Sequence, residues 1–372
     1  MGQSKKKANR RTSNWSELCP DLLGCVFKRL SFMAFNRAIS VCSSWHSASR
    51  HCVPIRNQMP WLILFPSNEE SNNNNNIVFF VPDDEDKVYR CRHAGVDFVQ
   101  SRCLRTCGSW LLILSPFWDL YILNPLTGER IDLPDTRKFR RQYDRACFLI
   151  DSKTKDYLVV IIIQPTTSVS LFTKKGDTKG YKSTLLGPYK DFVYNPKKKK
   201  LYIHETYGHI DIWDLSEDDP RKDGHLDSFR FNHSDFPSWF NEELYWDKLY
   251  DYRTRIVLTV SGDVLIVASI VTRCNTWQFR IYNYKPNHVM DYKWVKLDSL
   301  GDEALIYDMG VTVVANGIPG IKRNSIYFSG VDHGTKDPHN IFVYDLTTQK
   351  MEPLPQCVFS SLRFSDARWF FP

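Results

Sequence analysis

The sequence has 372 residues, of which 42% are hydrophobic, 24% are charged and 14% are aromatic. This composition excludes wholesale disorder, and the length predicts more than one domain. The longest apolar runs, residues 158–163 and 110–114, are far shorter than the roughly 20 residues that span a bilayer. The chain shows no secretory signal pattern at its start. We therefore expect a soluble intracellular protein whose ten cysteines are mostly reduced.

The net charge of +7 comes from two clusters and is a weak indication of a nucleic-acid partner. Five basic residues lie within residues 5–11 and four more are Lys197–Lys200; without these nine charges the chain would carry −2. Residues 1–13 are polar and basic, and we interpret them as a flexible tail. The tail is either a nuclear import signal or a solvated segment that contains no targeting signal. The expected localisation is the nucleus, the cytoplasm or both.

Residues 15–52 have the apolar period of short helices. Pro20 suits the first turn of a helix, since its missing N–H has no partner there. Ser31 is placed to cap a second helix, and a third helix carries Val41, Trp45 and Ala48 on one face. Three helices of this length bury too little surface to be very stable alone. We expect this segment to dock on a partner or on the next domain.

After Pro54 the pattern changes to short apolar or alternating runs that are interrupted by Asn, Asp, Gly and Pro. This pattern is typical of all-β proteins, and it divides into six units of three or four strands. The fold class predicted is therefore mainly β, with a six-bladed β-propeller following the helices. Residues 218–247 are predicted to be an irregular insertion. The apolar residues 367–371 are predicted to close the ring beside the first blade.

A faint internal repeat supports this division. Asn124 and Asp345 each follow an aromatic-aliphatic run and each lie ten residues before a Leu-Pro proline. Asn and Asp begin turns because their side chains accept hydrogen bonds from the backbone two or three residues later. Asn195 is a partial third copy, which predicts that Lys197–Lys200 lie at the tip of a β-hairpin.

The N-terminal motif resembles an F-box. The residues that carry this resemblance are 15–23, Val26, Leu30, Arg37 and 41–45, although Cys19 and Ala34 depart from the usual pattern. Residues 294–297, 299–305, 324–328 and 342–346 resemble the β-propeller-like domain of plant KIB-type F-box proteins. The resemblance implies a tail at 1–13, an F-box at 14–53 and a substrate-binding propeller at 54–372.

By this resemblance, the chain is the substrate-recognition subunit of an SCF-type (cullin-RING) ubiquitin ligase. The F-box would dock on a Skp-type adaptor, and the propeller would hold a protein substrate for ubiquitination. Some of the adaptor-contact candidates would instead form the core of the helical module. These candidates are Leu18, Pro20, Leu22, Leu23, Val26, Leu30, Val41 and Trp45. The aromatic residues Phe236, Trp239 and Phe240 are candidates for substrate binding, or else pack back onto the propeller.

Three alternatives stay open at this point. An enzyme is disfavoured because no nucleophile-elbow, zinc-protease, P-loop or dinucleotide motif is present, so we expect no catalytic residues and no cofactor. The acidic runs 83–86 and 218–219 suit solvated loops. Cys42, His46, His51 and Cys52 lack a metal-ligand spacing, as do Cys103 and Cys107. A nucleic-acid-binding protein and a propeller scaffold outside any ligase are the remaining alternatives.

Overall fold

The computed structural model describes residues 15–30, 32–50, 60–66, 76–81, 88–92, 98, 101–135, 143–163, 169–177, 182–186, 189–205, 208–216, 221–226, 229, 249–272, 276–285, 294–316, 321–329, 341–354 and 364–371. The chain divides into two compact units, residues 1–59 and residues 60–372. Among the described residues, no helix is long and apolar enough to cross a membrane.

The first unit contains the helices α1 (Pro20–Phe27), α2 (Phe32–Ala38) and α3 (Ser43–Ser49) after a short 3-10 turn at Trp15–Glu17. Pro20 occupies the first turn of α1, as its missing N–H predicts. The core of the unit is apolar and half of its buried members are aromatic; these members are Leu23, Phe27, Phe35, Ala38, Trp45 and Ala48. The ring of Phe27 meets those of Phe35 and Trp45 edge to face, at centroid distances of 5.3 and 5.6 Å. Such contacts add to the burial of apolar area.

The second unit is built from sheets in which most neighbouring strands are antiparallel. The first sheet has the order β25-β1-β2-β3, the second β4-β5-β6-β7 and the third β11-β10-β9-β8. The strands of these sheets are β1 (Trp61–Pro66), β2 (Asn76–Phe80), β3 (Val88–Arg92), β4 (Arg102–Cys107), β5 (Trp110–Leu114), β6 (Leu120–Leu123), β7 (Arg130–Asp132), β8 (Tyr143–Ile150), β9 (Tyr157–Ile163), β10 (Val169–Lys174), β11 (Lys182–Leu186) and β25 (Phe364–Phe370).

The fourth sheet has the order β12-β13-β14-β15, and the largest sheet has nine strands in the order β19-β18-β17-β16-β21-β20-β22-β23-β24. Their strands are β12 (Tyr189–Asn195), β13 (Lys200–Glu205), β14 (Ile210–Asp214), β15 (Arg221–Leu226), β16 (Leu249–Leu258), β17 (Val264–Thr272), β18 (Trp277–Tyr284), β19 (Trp294–Leu297), β20 (Glu303–Ile306), β21 (Val311–Val314), β22 (Ser325–Ser329), β23 (Ile341–Asp345) and β24 (Lys350–Pro353).

The inner strands of successive sheets contact one another around a ring: β25 contacts β4, β4 contacts β8, β8 contacts β12, and β12 contacts β16. This radial arrangement of small antiparallel sheets is a β-propeller. The predicted ring closure is confirmed, because β25 lies against β1 with Leu62 opposite Trp369 and Leu64 opposite Ala367. The closing strand joins the second sheet too, since Thr106 Oγ1 donates to the carbonyl of Trp369 at 2.7 Å.

The internal repeat is also confirmed. The Oδ1 atom of Asn124 accepts hydrogen bonds from the amides of residues 126 and 127, and that of Asp345 accepts them from residues 347 and 348. The amide of Leu133 donates to the carbonyl of Leu120, and that of Leu354 donates to Ile341 in the same way. The same turn recurs at Asn195 and at Asp151, which accept from the amides two and three residues later. One turn type therefore serves at least four hairpins.

The prediction of an irregular segment at residues 218–247 is wrong in part. Arg221–Leu226 form β15, the outermost strand of the fourth sheet, and β16 begins at Leu249. Strand β15 escaped prediction because it is charged and largely exposed, so it lacks the apolar alternation that identifies a half-buried strand. Strands β11 and β20 were not predicted either. Residues 83–86 and 218–219 lie outside the described residues.

Two arginines, Arg105 half-buried and Arg255 buried, hold a 3-10 turn, Tyr307–Met309. Arg105 of β4 donates from Nη1 to the carbonyl of Asp308 at 3.0 Å, and Arg255 of β16 donates from Nη1 to the carbonyls of Tyr307 and Asp308 at 3.2 Å. The turn also contacts β25. The guanidinium groups add donors to carbonyls at the end of this short turn, where few backbone amides are available. These contacts connect the second sheet to strands far away in the sequence.

Candidate functional site

The helical unit exposes three large apolar side chains. Trp15 is 65% exposed, Leu22 is 54% exposed and Val41 is 62% exposed. Pro20, which precedes Leu22 in α1, is exposed as well. Burying such side chains stabilises a complex by roughly 1.5–3 kcal/mol each. The unit therefore carries apolar surface that its own core does not use, and this surface is the candidate adaptor site.

The other adaptor-contact candidates lie deeper in the unit. Leu23 is 1% exposed and Trp45 is 9% exposed, and both belong to the core. Leu18 and Leu30 are half-buried and pack against that core, and Val26 is half-buried. The helical period identified all of these positions, but it did not distinguish the side that faces the core from the side that faces solvent.

The connection between α2 and α3 corrects the placement of Val41. We expected Val41 on the third helix beside Trp45, but α3 begins at Ser43 and Val41 lies before it. Extended backbone at Cys42 (φ −162°, ψ 170°) separates the two residues, so Trp45 points to the core while Val41 is exposed. The indole Nε1 of Trp45 donates to the carbonyl of Trp15 at 3.1 Å, which joins α3 to the start of the unit.

The electrostatics near this site involve one thiol. The hydroxyl of Ser44 lies 3.0 Å from Cys42 Sγ, and this hydrogen bond, followed by one from the backbone of Trp45, lowers the pKa of the Cys42 thiol. Ser44 Oγ also lies 3.0 Å from the carbonyl of Ser16, so while the thiol is protonated Ser44 donates to that carbonyl and accepts from Cys42. Among the described residues no group of three or more His, Cys, Asp and Glu side chains could hold a metal ion. His51 and Cys52 lie outside the described part of the chain.

Sequence reasoning missed Trp15 as an exposed member of this site. Trp15 was assigned to the motif but not to the apolar stripe, because it precedes the helices and the helical period does not reach it. Its carbonyl is occupied by Trp45, while its side chain is the most exposed large apolar group of the described helical unit. The sequence feature that could have indicated this residue is its position: Trp15 is a large apolar residue directly before the apolar stretch, two residues ahead of Glu17.

The second candidate site, Phe236, Trp239 and Phe240, lies outside the described residues. The segment that leads to it begins at Phe229, which is buried and packs on Tyr282 and Trp294 at centroid distances of 4.9 and 5.8 Å. The amide of Phe229 donates to the carbonyl of Gly208 at 2.8 Å. A Cβ at Gly208 would lie 2.3 Å from the carbonyl oxygen of Phe229, and φ there is +94°, so this contact requires glycine.

The basic residues Lys197–Lys200 lie at the β12–β13 turn, as predicted. Lys200 Nζ contacts Asp214 at 2.6 Å and Asp223 at 2.8 Å. The hydrogen bond from Lys200 is the main cause that holds the pKa of Asp214 far below its usual range. Lys197 Nζ donates to the carbonyl of Val260 at 3.3 Å. Part of the positive charge is therefore neutralised within the propeller, which weakens the case for a phosphate-binding surface.

Two cysteines of the inner strands are poor candidates for a nucleophile or a metal ligand. Cys103 and Cys147 are buried, and burial raises the pKa of the Cys147 thiol to about 12. Burial raises the pKa of Cys103 as well. A thiol that stays protonated is a poor nucleophile and a poor metal ligand. Both residues act as small apolar groups in the core.

Comparison with known proteins gives matches over both units. The F-box domain model matches residues 15–57, and the KIB1-4 β-propeller model matches residues 78–345, which is most of the second unit. The chain belongs to the F-box proteins that carry a KIB1-4 β-propeller. This family is the one that the two sequence motifs resemble.

Relatives from Arabidopsis thaliana align along the whole chain. The putative F-box protein At4g17565 is 50% identical over 386 residues, which cover 100% of this chain and 99% of that protein. F-box protein At2g05970 is 51% identical over 384 residues, with 100% and 98% covered. Among solved structures, the Cps50 (Swd1) β-propeller domain of Myceliophteria thermophila aligns with 79% of this chain and 85% of that chain, at 11% identity and a TM-score of 0.34.

Proposed function

We propose that this F-box protein is the non-catalytic substrate-recognition subunit of an SCF-type ubiquitin ligase. The helices dock on a Skp-type adaptor and through it on a cullin, and the propeller recruits a protein for ubiquitination. The observation that carries this proposal is the F-box match at 15–57 together with the exposed Leu22 and Val41 in the same residues. An amphipathic helical surface that exceeds the needs of its own core suits the groove of a partner.

The proposal includes the finer architecture. The boundaries are a basic tail at 1–13, a three-helix F-box at 14–53 and a propeller at 54–372 that resides in the nucleus, the cytoplasm or both. Six blades are supported by the nine-stranded sheet, which counts as two blades, β16–β19 and β20–β24. These two parts share one parallel residue pair, Leu258 opposite Val311. Within the second part, β20 and β22 are also parallel and share two residue pairs, while the other neighbouring strands of both parts are antiparallel.

The adaptor contact is tested with single charge substitutions on the full chain. Leu22→Asp and Val41→Asp place a carboxylate where an apolar contact is proposed, and each should weaken binding to a purified Skp-type adaptor at least about tenfold. Ser47→Asp adds the same charge at an exposed polar position of α3 and should leave the affinity unchanged. Leu23 is left intact, because a charge at this buried position would unfold the unit and remove binding for a trivial reason.

The outcome is read from titration calorimetry and from the thermal unfolding of each variant. If the Leu22→Asp and Val41→Asp variants are folded and bind the adaptor with the affinity of the wild type, the adaptor assignment is wrong. Adaptor binding without accumulation of any protein after depletion of this chain in cells would instead favour a scaffold outside degradation.

A further inference from the structure

The turn between β5 and β6, residues 115–119, presents an aromatic side chain to solvent. Phe117 is 72% exposed, more than any other large apolar side chain among the described residues. Leaving a Phe in water forgoes the stabilisation that burial would provide. Single exposed apolar groups are common on protein surfaces and need no explanation by themselves. At Phe117, however, the structure of the surrounding turn gives a reason for the exposure.

The backbone of this turn is fixed by four hydrogen bonds. The amide of Trp118 donates to the carbonyl of Ser115 at 3.0 Å, and the amide of Ser115 donates to the carbonyl of Asp119 at 2.9 Å. Ser115 Oγ accepts from the amides of Phe117 and Asp119, at 3.2 and 3.0 Å. Pro116 restricts φ at the residue before Phe117. The backbone that carries Phe117 is therefore fixed, so binding to a partner need not order the turn.

The neighbouring residue holds the turn onto the propeller. Trp118 has φ +70°, a conformation that is rare and strained for a bulky residue. Its side chain is half-buried and packs against the core cluster shared by the second and third sheets, which contains Trp110 and Ile122. The strained backbone directs Trp118 into the core and leaves Phe117 pointing outward. The two adjacent aromatic residues thus have different roles, one as the anchor of the turn and one as its exposed tip.

We propose that Phe117 is an anchor residue that inserts into an apolar pocket on a folded protein partner, bordered by Lys or Arg. A protruding ring fits a concave surface, and buried aromatic anchors dominate the energetics of protein interfaces. Asp119 is exposed on the same turn, and its charge complements a basic rim. The same carboxylate repels phosphate groups, which disfavours a nucleic-acid ligand. The proposal rests on the proposed function, because the partner is the substrate of the ligase.

The partner is identified by photo-crosslinking with the full-length chain. A photoreactive phenylalanine analogue is placed at position 117, and in a control chain at position 350, which is exposed in β24.

The protein crosslinked only from position 117 is then purified, and its affinity is measured for the wild type and three variants. Phe117→Ala should weaken binding about 30-fold, as expected for an interface hot spot. Asp119→Lys should slow association at low salt. Val314→Ala, which also alters an exposed apolar residue, should have no effect.

Each other outcome overturns the proposal. These outcomes are no adduct specific to position 117, an adduct with RNA or DNA, an adduct with a second copy of this chain, or affinities of Phe117→Ala within twofold of the wild type. Thermal unfolding of Phe117→Ala should match the wild type, which excludes misfolding as the cause of weaker binding. Two other results would show that the proposed function itself is wrong. In the first, the Leu22→Asp variant binds the adaptor as well as the wild type does. In the second, the crosslinked partner is not ubiquitinated.

Discussion

The helical unit and the propeller differ in how many of their large apolar side chains they leave exposed to solvent. Among the described residues, the short helical unit exposes Trp15, Leu22 and Val41, while the much longer propeller exposes only Phe117, Val260 and Val314 among its large apolar side chains. Three helices of seven or eight residues cannot surround all the apolar side chains that they carry. A closed ring of sheets buries the apolar side chains of neighbouring sheets against one another. The comparison teaches that the helical unit carries apolar surface that its own core does not use, as the proposed adaptor contact requires, whereas the described propeller strands bury most of theirs.

The largest expected effect is on the closure of the propeller. Trp369 is buried in β25, and its ring meets that of Tyr327 at a centroid distance of 5.8 Å. Trp369→Ala should lower the free energy of unfolding of the propeller by about 3–5 kcal/mol, through lost burial and a cavity. Chemical denaturation of the full chain measures this change. A propeller that unfolds at the same denaturant concentration as the wild type would show that β25 is not needed for closure.

The next effect separates core from surface within α1. Leu23→Ala removes a side chain from the core and should destabilise the helical unit by about 2–5 kcal/mol. Leu22→Ala, one residue away, should change stability by less than about 0.5 kcal/mol, since surface substitutions rarely have larger effects. Hydrogen exchange of α1 and α3 in the chain without adaptor measures both. Equal destabilisation by the two substitutions would contradict the assignment of Leu22 to the surface.

The smallest effect concerns the turn at Asp345. The hydrogen bond from Lys322 lowers the pKa of this carboxyl group, and the amides of Thr348 and Thr347 lower it further, while partial burial acts in the opposite direction. Because its pKa is lower in the folded state, the stabilisation is present above the unfolded value of about 4 and is lost as the pH falls through the folded value.

Substitutions of Asp345 should separate the turn from the charge. Asp345→Asn keeps the side-chain oxygen that accepts from the turn amides, as Asn124 does in the second sheet, but loses the ion pair with Lys322. Its stability should therefore depend less on pH below 4 than that of the wild type. Asp345→Ala loses both interactions and should cost about 1–2 kcal/mol at neutral pH. Unfolding curves between pH 2 and 7 compare the three proteins, and identical pH dependence in the wild type and Asp345→Asn would contradict the role of the charge.

The sequence predicted features that depend on local chemistry. The turns at Asn124 and Asp345 were predictable because an Asn or Asp that follows a strand favours a turn in which its side chain accepts from the next amides. Closure by residues 367–371 was predictable because an apolar terminus needs a buried partner. The strand β15 was not predictable, because an exposed edge strand has no apolar period.

Features that depend on contacts between distant residues were beyond prediction. The distinction between Leu22 and Leu23 depends on where Phe27, Phe35 and Trp45 lie, and one helix alone does not reveal this. The contact of Arg105 with the turn at Tyr307–Met309 joins residues about 200 positions apart. The requirement for glycine at position 208 follows only from the position of the Phe229 carbonyl.

The central claim is that the helical unit needs a partner and the propeller does not need that same partner to complete its core. Hydrogen exchange of the full chain, with and without a purified Skp-type adaptor, tests this claim most directly. The account predicts that the adaptor protects amides between residues 15 and 50 and leaves the propeller strands, such as β5 and β17, unchanged. Protection confined to the propeller, or no protection of residues 15–50 at saturating adaptor, would contradict it.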